Sequence, residues 1–95
     1  MRLTASQITA IREKSERLDP QAEVYLYDSR MDDAARGGDV DLLVISERLG
    51  FREVLRLRRR ILDRVGWQQL DLLVRRRDQV NEPLVAIALE TGVKL

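Results

Sequence analysis

Two aspartates, Asp39 and Asp41, stand one residue apart at the head of the run Asp39-Val40-Asp41-Leu42-Leu43-Val44. A third, Asp71, sits in Leu70-Asp71-Leu72-Leu73-Val74. In a strand, alternate residues share a face. If the strand has begun by Asp39, both carboxylates project together while Val40, Leu42 and Val44 face the other way. Like charges held close repel, and burial makes this worse, so carboxylates kept together at a strand start call for a cation. The chain has 95 residues and neither Cys nor His. That removes disulfides, thiol-ligated zinc, Cys nucleophiles and every mechanism with a His base. Any chemistry must come from carboxylates, hydroxyls, guanidinium groups, Lys or an oxygen-ligated metal. Oxygen-only ligation favours Mg²⁺, Mn²⁺ or Ca²⁺.

The elements that must position these residues can be read in order. Residues 4–17 form a helix, with Thr4 as N-cap and Gln7 completing a capping box. Its apolar stripe is Ala5, Ile8, Ile11, Ser15 and Leu18, and Asp19-Pro20 ends it. Val24 to Tyr27 is a short buried strand, and Asp28-Ser29-Arg30 a turn. Residues 31–35 suit one helical turn, and Arg36-Gly37-Gly38 a flexible bend. Val40 to Ile45 reads as a central strand buried on both faces. Residues 51–65 make the strongest helix, with Phe51, Val54, Leu55, Ile61, Leu62 and Val65 on one face, interrupted by Arg58. Arg52, Arg56, Arg59, Arg60 and Asp63 form its cationic outer face, a solvated surface or a docking site for an acidic partner or a nucleic-acid backbone. Gly66 is placed to end this helix. The third strand is Trp67 to Val74, with Trp67 in the core, and it echoes residues 40–44: Asp41 and Asp71 take equivalent places. Residues 81–91 are the last helix, with Pro83 near its start and Gly92 after its end. It is apolar nearly all round, which implies contact on more than one side, by burial in the core or with a homo-oligomer or a partner. The expected architecture is one domain over residues 1–95. It is α/β (α+β), a small mixed sheet of three or four strands flanked by helices in the order α-β-(turn)-β-α-β-α.

The formal net charge of +1 carries no global bias toward nucleic acid. The charges are uneven, with acids from Asp28 to Asp41 and arginines at 52–64 and 75–77. The longest apolar run, Leu84 to Leu89, is too short to span a bilayer. The opening Met1-Arg2-Leu3-Thr4 lacks the apolar core of a signal peptide. A cytoplasmic protein without a membrane partner is expected.

Ser29-Arg30, then Gly37-Gly38, Asp39-x-Asp41 and the strand Asp71 together resemble the minimal nucleotidyltransferases. These are the MntA-like antitoxin group of the DNA polymerase β-like nucleotidyltransferase superfamily, whose motif is G-S-x(9–10)-D-x-D with a third Asp on a later strand. The resemblance extends from the first helix to the Gly92-Val93-Lys94-Leu95 ending and implies the polymerase β-like nucleotidyltransferase fold.

The resemblance also implies a mechanism. Asp39, Asp41 and Asp71 would hold Mg²⁺ or Mn²⁺, and Asp71 would help deprotonate the attacking hydroxyl. Ser29 and Arg30 would hold the phosphates of ATP, and AMP would pass to a hydroxyl of a partner, in this group a HEPN-type toxin. One residue departs from the motif: Asp28 stands where the family has Gly. A carboxylate about 4–6 Å from a polyphosphate is repelled by roughly 3–4 kcal/mol at an effective dielectric near 20, on the order of a hundredfold in affinity. Three functions are therefore carried: a metal-dependent nucleotidyltransferase antitoxin, a catalytically impaired antitoxin-like module that neutralises its toxin by contact, and, behind both, nucleic-acid binding through the arginines.

Overall fold

The computed structural model describes residues 3–27, 39–65 and 69–95. The elements are α1 (Ala5–Leu18), β1 (Glu23–Tyr27), β2 (Asp39–Ile45), α2 (Phe51–Val65), β3 (Gln69–Arg75), a 3₁₀ turn (Arg77–Gln79), α3 (Pro83–Thr91) and β4 (Val93–Lys94). The expectations for Asp28, Ser29, Arg30, residues 31–38, Gly66 and Trp67 lie outside the described residues.

The sheet has the order β3-β2-β1-β4. β1 runs antiparallel to both β2 and β4, and β2 runs parallel to β3. A parallel pair needs a crossover, and α2 supplies it. The mixed α/β architecture matches expectation, and the added strand is β4. At two residues it is too short for periodicity to reveal. It is defined by pairing with Tyr25 and Leu26, and by the Leu95 N–H donating to the Val24 carbonyl at 2.8 Å.

β2 is the covered centre. Val40, Leu42 and Val44 pack with Ile11, Leu57 and Ile61 under α1 and α2. Leu43 and Ile45 pack with Tyr27, Val85 and Ala88 under α3. The near-continuous apolar run thus serves two cores, as its sequence predicts.

α1 begins as expected. The Gln7 N–H donates to Thr4 Oγ1 at 3.1 Å, and the Thr4 N–H donates to Gln7 Oε1 at 2.8 Å. Its stripe is shifted: Ala10, Ile11 and Ser15 are buried, and Ala5 is exposed. The expected face of α2 is corrected more strongly. Phe51 is 79% and Leu55 52% exposed, while Leu57, outside the expected stripe, is fully buried beside Ile61. α2 carries more apolar residues than one face can seat, and its packing on α1 and β3 selects the Leu57–Ile61 side. α3 buries Val85 and Ala88 but leaves Leu84 and Ile87 exposed, so among the described residues only one side of it is covered.

Beyond the end of β2, away from the aspartate pair, two polar residues are buried. Ser46 Oγ donates to Asp19 Oδ2 at 2.5 Å and accepts from the N–H groups of Arg48 and Leu49. The Gln21 N–H donates to Asp19 Oδ1. This network ties the C-terminus of α1 to the end of β2. Gly92 is needed for closeness: a Cβ there would lie 2.4 Å from the Ala88 carbonyl and 3.1 Å from the Leu26 carbonyl. Its φ of −83° is open to any residue.

Gly92→Ala should cost about 1–3 kcal/mol by overpacking, read as a lower urea midpoint with an unchanged slope. Ser46→Ala strips Asp19 of a buried donor and leaves two N–H groups without their acceptor. It should cost on the order of 2–3 kcal/mol in the same assay, and a loss under 0.5 kcal/mol would refute the role given to this network.

Candidate functional site

The two strand sequences that echo each other are hydrogen-bonded neighbours in register. Val40 pairs with Leu70, Asp41 with Asp71, Leu42 with Leu72, Leu43 with Leu73 and Val44 with Val74. Neighbouring strands lie about 4.8 Å apart, so the two aspartates stand side by side on one face. That face is the α3 side, since Leu43 and Ile45 alternate with Asp41 and belong to its core. Asp39 opens β2 opposite Gln69 on β3. The described side chains include Asp41 and Asp71 of the expected carboxylate trio, and Asp39's side chain is outside them. Among the described residues no group of three metal-ligating side chains occurs.

The pair is asymmetric. Asp41 is 6% exposed, while Asp71 is open to solvent. β2 is flanked on both sides, but β3 is an edge strand, and α3 packs on β1 instead. One carboxylate is therefore held rigidly in the sheet and the other is accessible at its rim.

The antiparallel neighbour adds a residue that the sequence reading did not single out. Tyr27 pairs with Asp41 across β1 and β2 and is 5% exposed. Burial pushes the Tyr27 phenol above its ordinary value of 10.0, the charges of Asp41 and then Asp71 push it the same way, and Arg75 opposes them. Tyr27, Asp41 and Asp71 thus form one row across three strands. The only sequence signal for Tyr27 was its place as the last residue of the strand before the turn.

Arg75 lies two alternations beyond Asp71 on the same strand face. Its Nε donates to Glu82 Oε1 at 3.0 Å and its Nη1 to the Val74 carbonyl at 2.8 Å. The chain leaves the sheet at Tyr27 and returns at Asp39, beside the aspartate pair.

Chemically, the row offers two carboxylates at strand spacing, one fixed and one accessible, beside a neutral phenol. A donor set of carboxylate oxygens suits a hard divalent cation.

The raised Tyr27 value has a pH signature. Up to about pH 10 the phenol is neutral in both the folded and unfolded chain. From there to the higher folded value the unfolded chain gives up its proton first, so stability falls as pH rises through that window. In a Tyr25→Phe background, ultraviolet titration should place Tyr27 above 10, and Asp41→Asn should lower its midpoint. An unmoved midpoint would mean the carboxylate does not act on the phenol.

Compared with known proteins, the chain matches no family model, and no curated protein matches it.

Proposed function

We propose that this chain is a metal-dependent nucleotidyltransferase that moves AMP from ATP to a hydroxyl of a partner protein, in the cytoplasm, as the antitoxin of a toxin–antitoxin pair. The observation that carries the reading is the register of Asp41 against Asp71 on parallel strands, at the end where β2 opens with Asp39. A metal-bound phosphate transfer needs carboxylates converging from separate strand positions, and this register brings together two that are 30 residues apart in the chain.

Asp39 and Asp41 would hold one Mg²⁺ or Mn²⁺, and Asp71 would complete a second site. When bound, the metal neutralises charge developing at the α-phosphorus and on departing pyrophosphate. Ser29 and Arg30 would hold the outer phosphates. Asp71, the accessible member, would take the proton from the acceptor hydroxyl. The acceptor oxygen then bonds to the α-phosphorus as the bond to pyrophosphate breaks. The buried, rigid setting of Asp41 keeps its carboxylate from having to reorganise during transfer.

The second reading rests on Asp28, which replaces the Gly of the resembling motif. In it the chain neutralises a HEPN-type toxin by contact alone.

Labelled ATP, Mg²⁺ and a HEPN-type partner distinguish the two. Transfer by wild type that drops on the order of a hundredfold or more in Asp41→Asn and in Asp71→Asn supports the enzyme. An inert wild type with an active Asp28→Gly variant supports the contact module. If neither protein transfers or binds nucleotide while the partner still binds, the nucleotidyltransferase reading fails.

A further inference from the structure

The outer side of α2 is the least satisfied surface among the described residues. Phe51 and Leu55 are 79% and 52% exposed. Residues four apart stand one above the other on a helix, so the two form one exposed apolar line. One residue further round, Arg52, Arg56 and Arg59 repeat the spacing, all exposed. An apolar ridge and a cationic ridge thus run side by side toward solvent. Among the described residues, no ion pair engages these arginines. Leu57 and Ile61, with Leu62 packed against the same cluster, anchor α2 to the core from another side, and Phe51 and Leu55 are not part of that contact.

We propose that this face of α2 docks an acidic amphipathic segment of a protein partner. Its apolar side chains would cover Phe51 and Leu55, and its carboxylates would meet Arg52, Arg56 and Arg59. Charge complementarity selects the occupant: the ridge is cationic, and an exposed apolar line beside it needs an apolar counterpart. A nucleic-acid strand fits less well. Of the two apolar residues only Phe51 offers a stacking platform, where a strand needs one for successive bases, and a polyanion responds to the field of the whole chain, whose formal net charge is only +1. A lipid surface also fits less well. A membrane-lying helix inserts a continuous apolar face, and here the larger apolar face is turned into the core. The surface lies on the helical layer across the sheet from Asp41 and Asp71, so a docked segment leaves the carboxylate row open. The proposal is independent of nucleotide chemistry.

The probe is a synthetic helical peptide with leucines at i, i+4 and i+7 and a glutamate beside each, followed by fluorescence anisotropy without nucleotide or metal. Wild type should bind it. Phe51→Ser with Leu55→Ser should weaken binding at least about tenfold. Arg52→Glu with Arg56→Glu should abolish it, and a lysine-for-glutamate peptide should restore binding to that variant. The exposed positions let the variants fold, which circular dichroism checks, and the charge-swap rescue excludes a misfolded explanation. Failure of wild type to bind, an unchanged affinity in the Phe51/Leu55 variant, or failure of the rescue overturns the proposal. So does tighter binding of wild type to single-stranded RNA or to phosphatidylcholine–phosphatidylserine vesicles than to the peptide.

Discussion

Everything in this fold depends on β2 being covered on both faces and paired on both edges. Val40 through Ser46 are all buried, a run possible only because β1 and β3 satisfy its backbone while helices shield its two faces. The cost appears at Asp41. A strand that alternates into two cores must send one of its carboxylates inward, and this one is left 6% exposed. Burying a carboxylate is expensive unless it finds a partner, and Asp41 has an interaction of its own within the molecule.

The opposite end of β2 handles buried polarity differently. Asp19 and Ser46 satisfy each other and three backbone N–H groups, so polar atoms at 2% and 4% exposure are bonded in a closed local network. Networks of this kind hold a geometry in place. The aspartate row instead leaves Asp71 facing solvent, able to meet something from outside. Within one strand neighbourhood, one end is closed by its own hydrogen bonds and the other has a carboxylate open to solvent.

The helices divide along the same lines. α1 is closed off by its capping box and by the Asp19 network, and its buried side is small. α2 and α3 each carry more apolar surface than the sheet can take up. In α3 the surplus is Leu84 and Ile87, with no charge pattern to say what covers them. In α2 it is Phe51 and Leu55 beside a row of arginines, and that pairing of apolar and cationic ridges gives the surplus a definite chemistry. Glu23 sits apart from both, linking Arg77 at 3.4 Å and Lys94 at 3.7 Å across β1, β4 and the 3₁₀ turn. Exposed pairs of this kind contribute little to stability.

Local sequence determined a good deal. The Thr4–Gln7 capping box, the stop at Asp19-Pro20, the doubly buried β2 and the equivalent places of Asp41 and Asp71 in two echoing strands all follow from residue type and spacing. The absence of Cys and His confines any metal site to oxygen donors. The tertiary structure decided what spacing cannot carry. It chose Leu57 over Leu55 as the core residue of α2, because helical periodicity marks several apolar positions and only packing selects among them. It paired Asp19 with Ser46 across 27 residues and added β4, which exists only as a partner to β1. It also separated two aspartates with nearly the same local sequence. Asp41 is buried and Asp71 exposed because one strand has neighbours on both sides and the other lies at the edge. That difference between a held and a reachable carboxylate is set by position in the sheet.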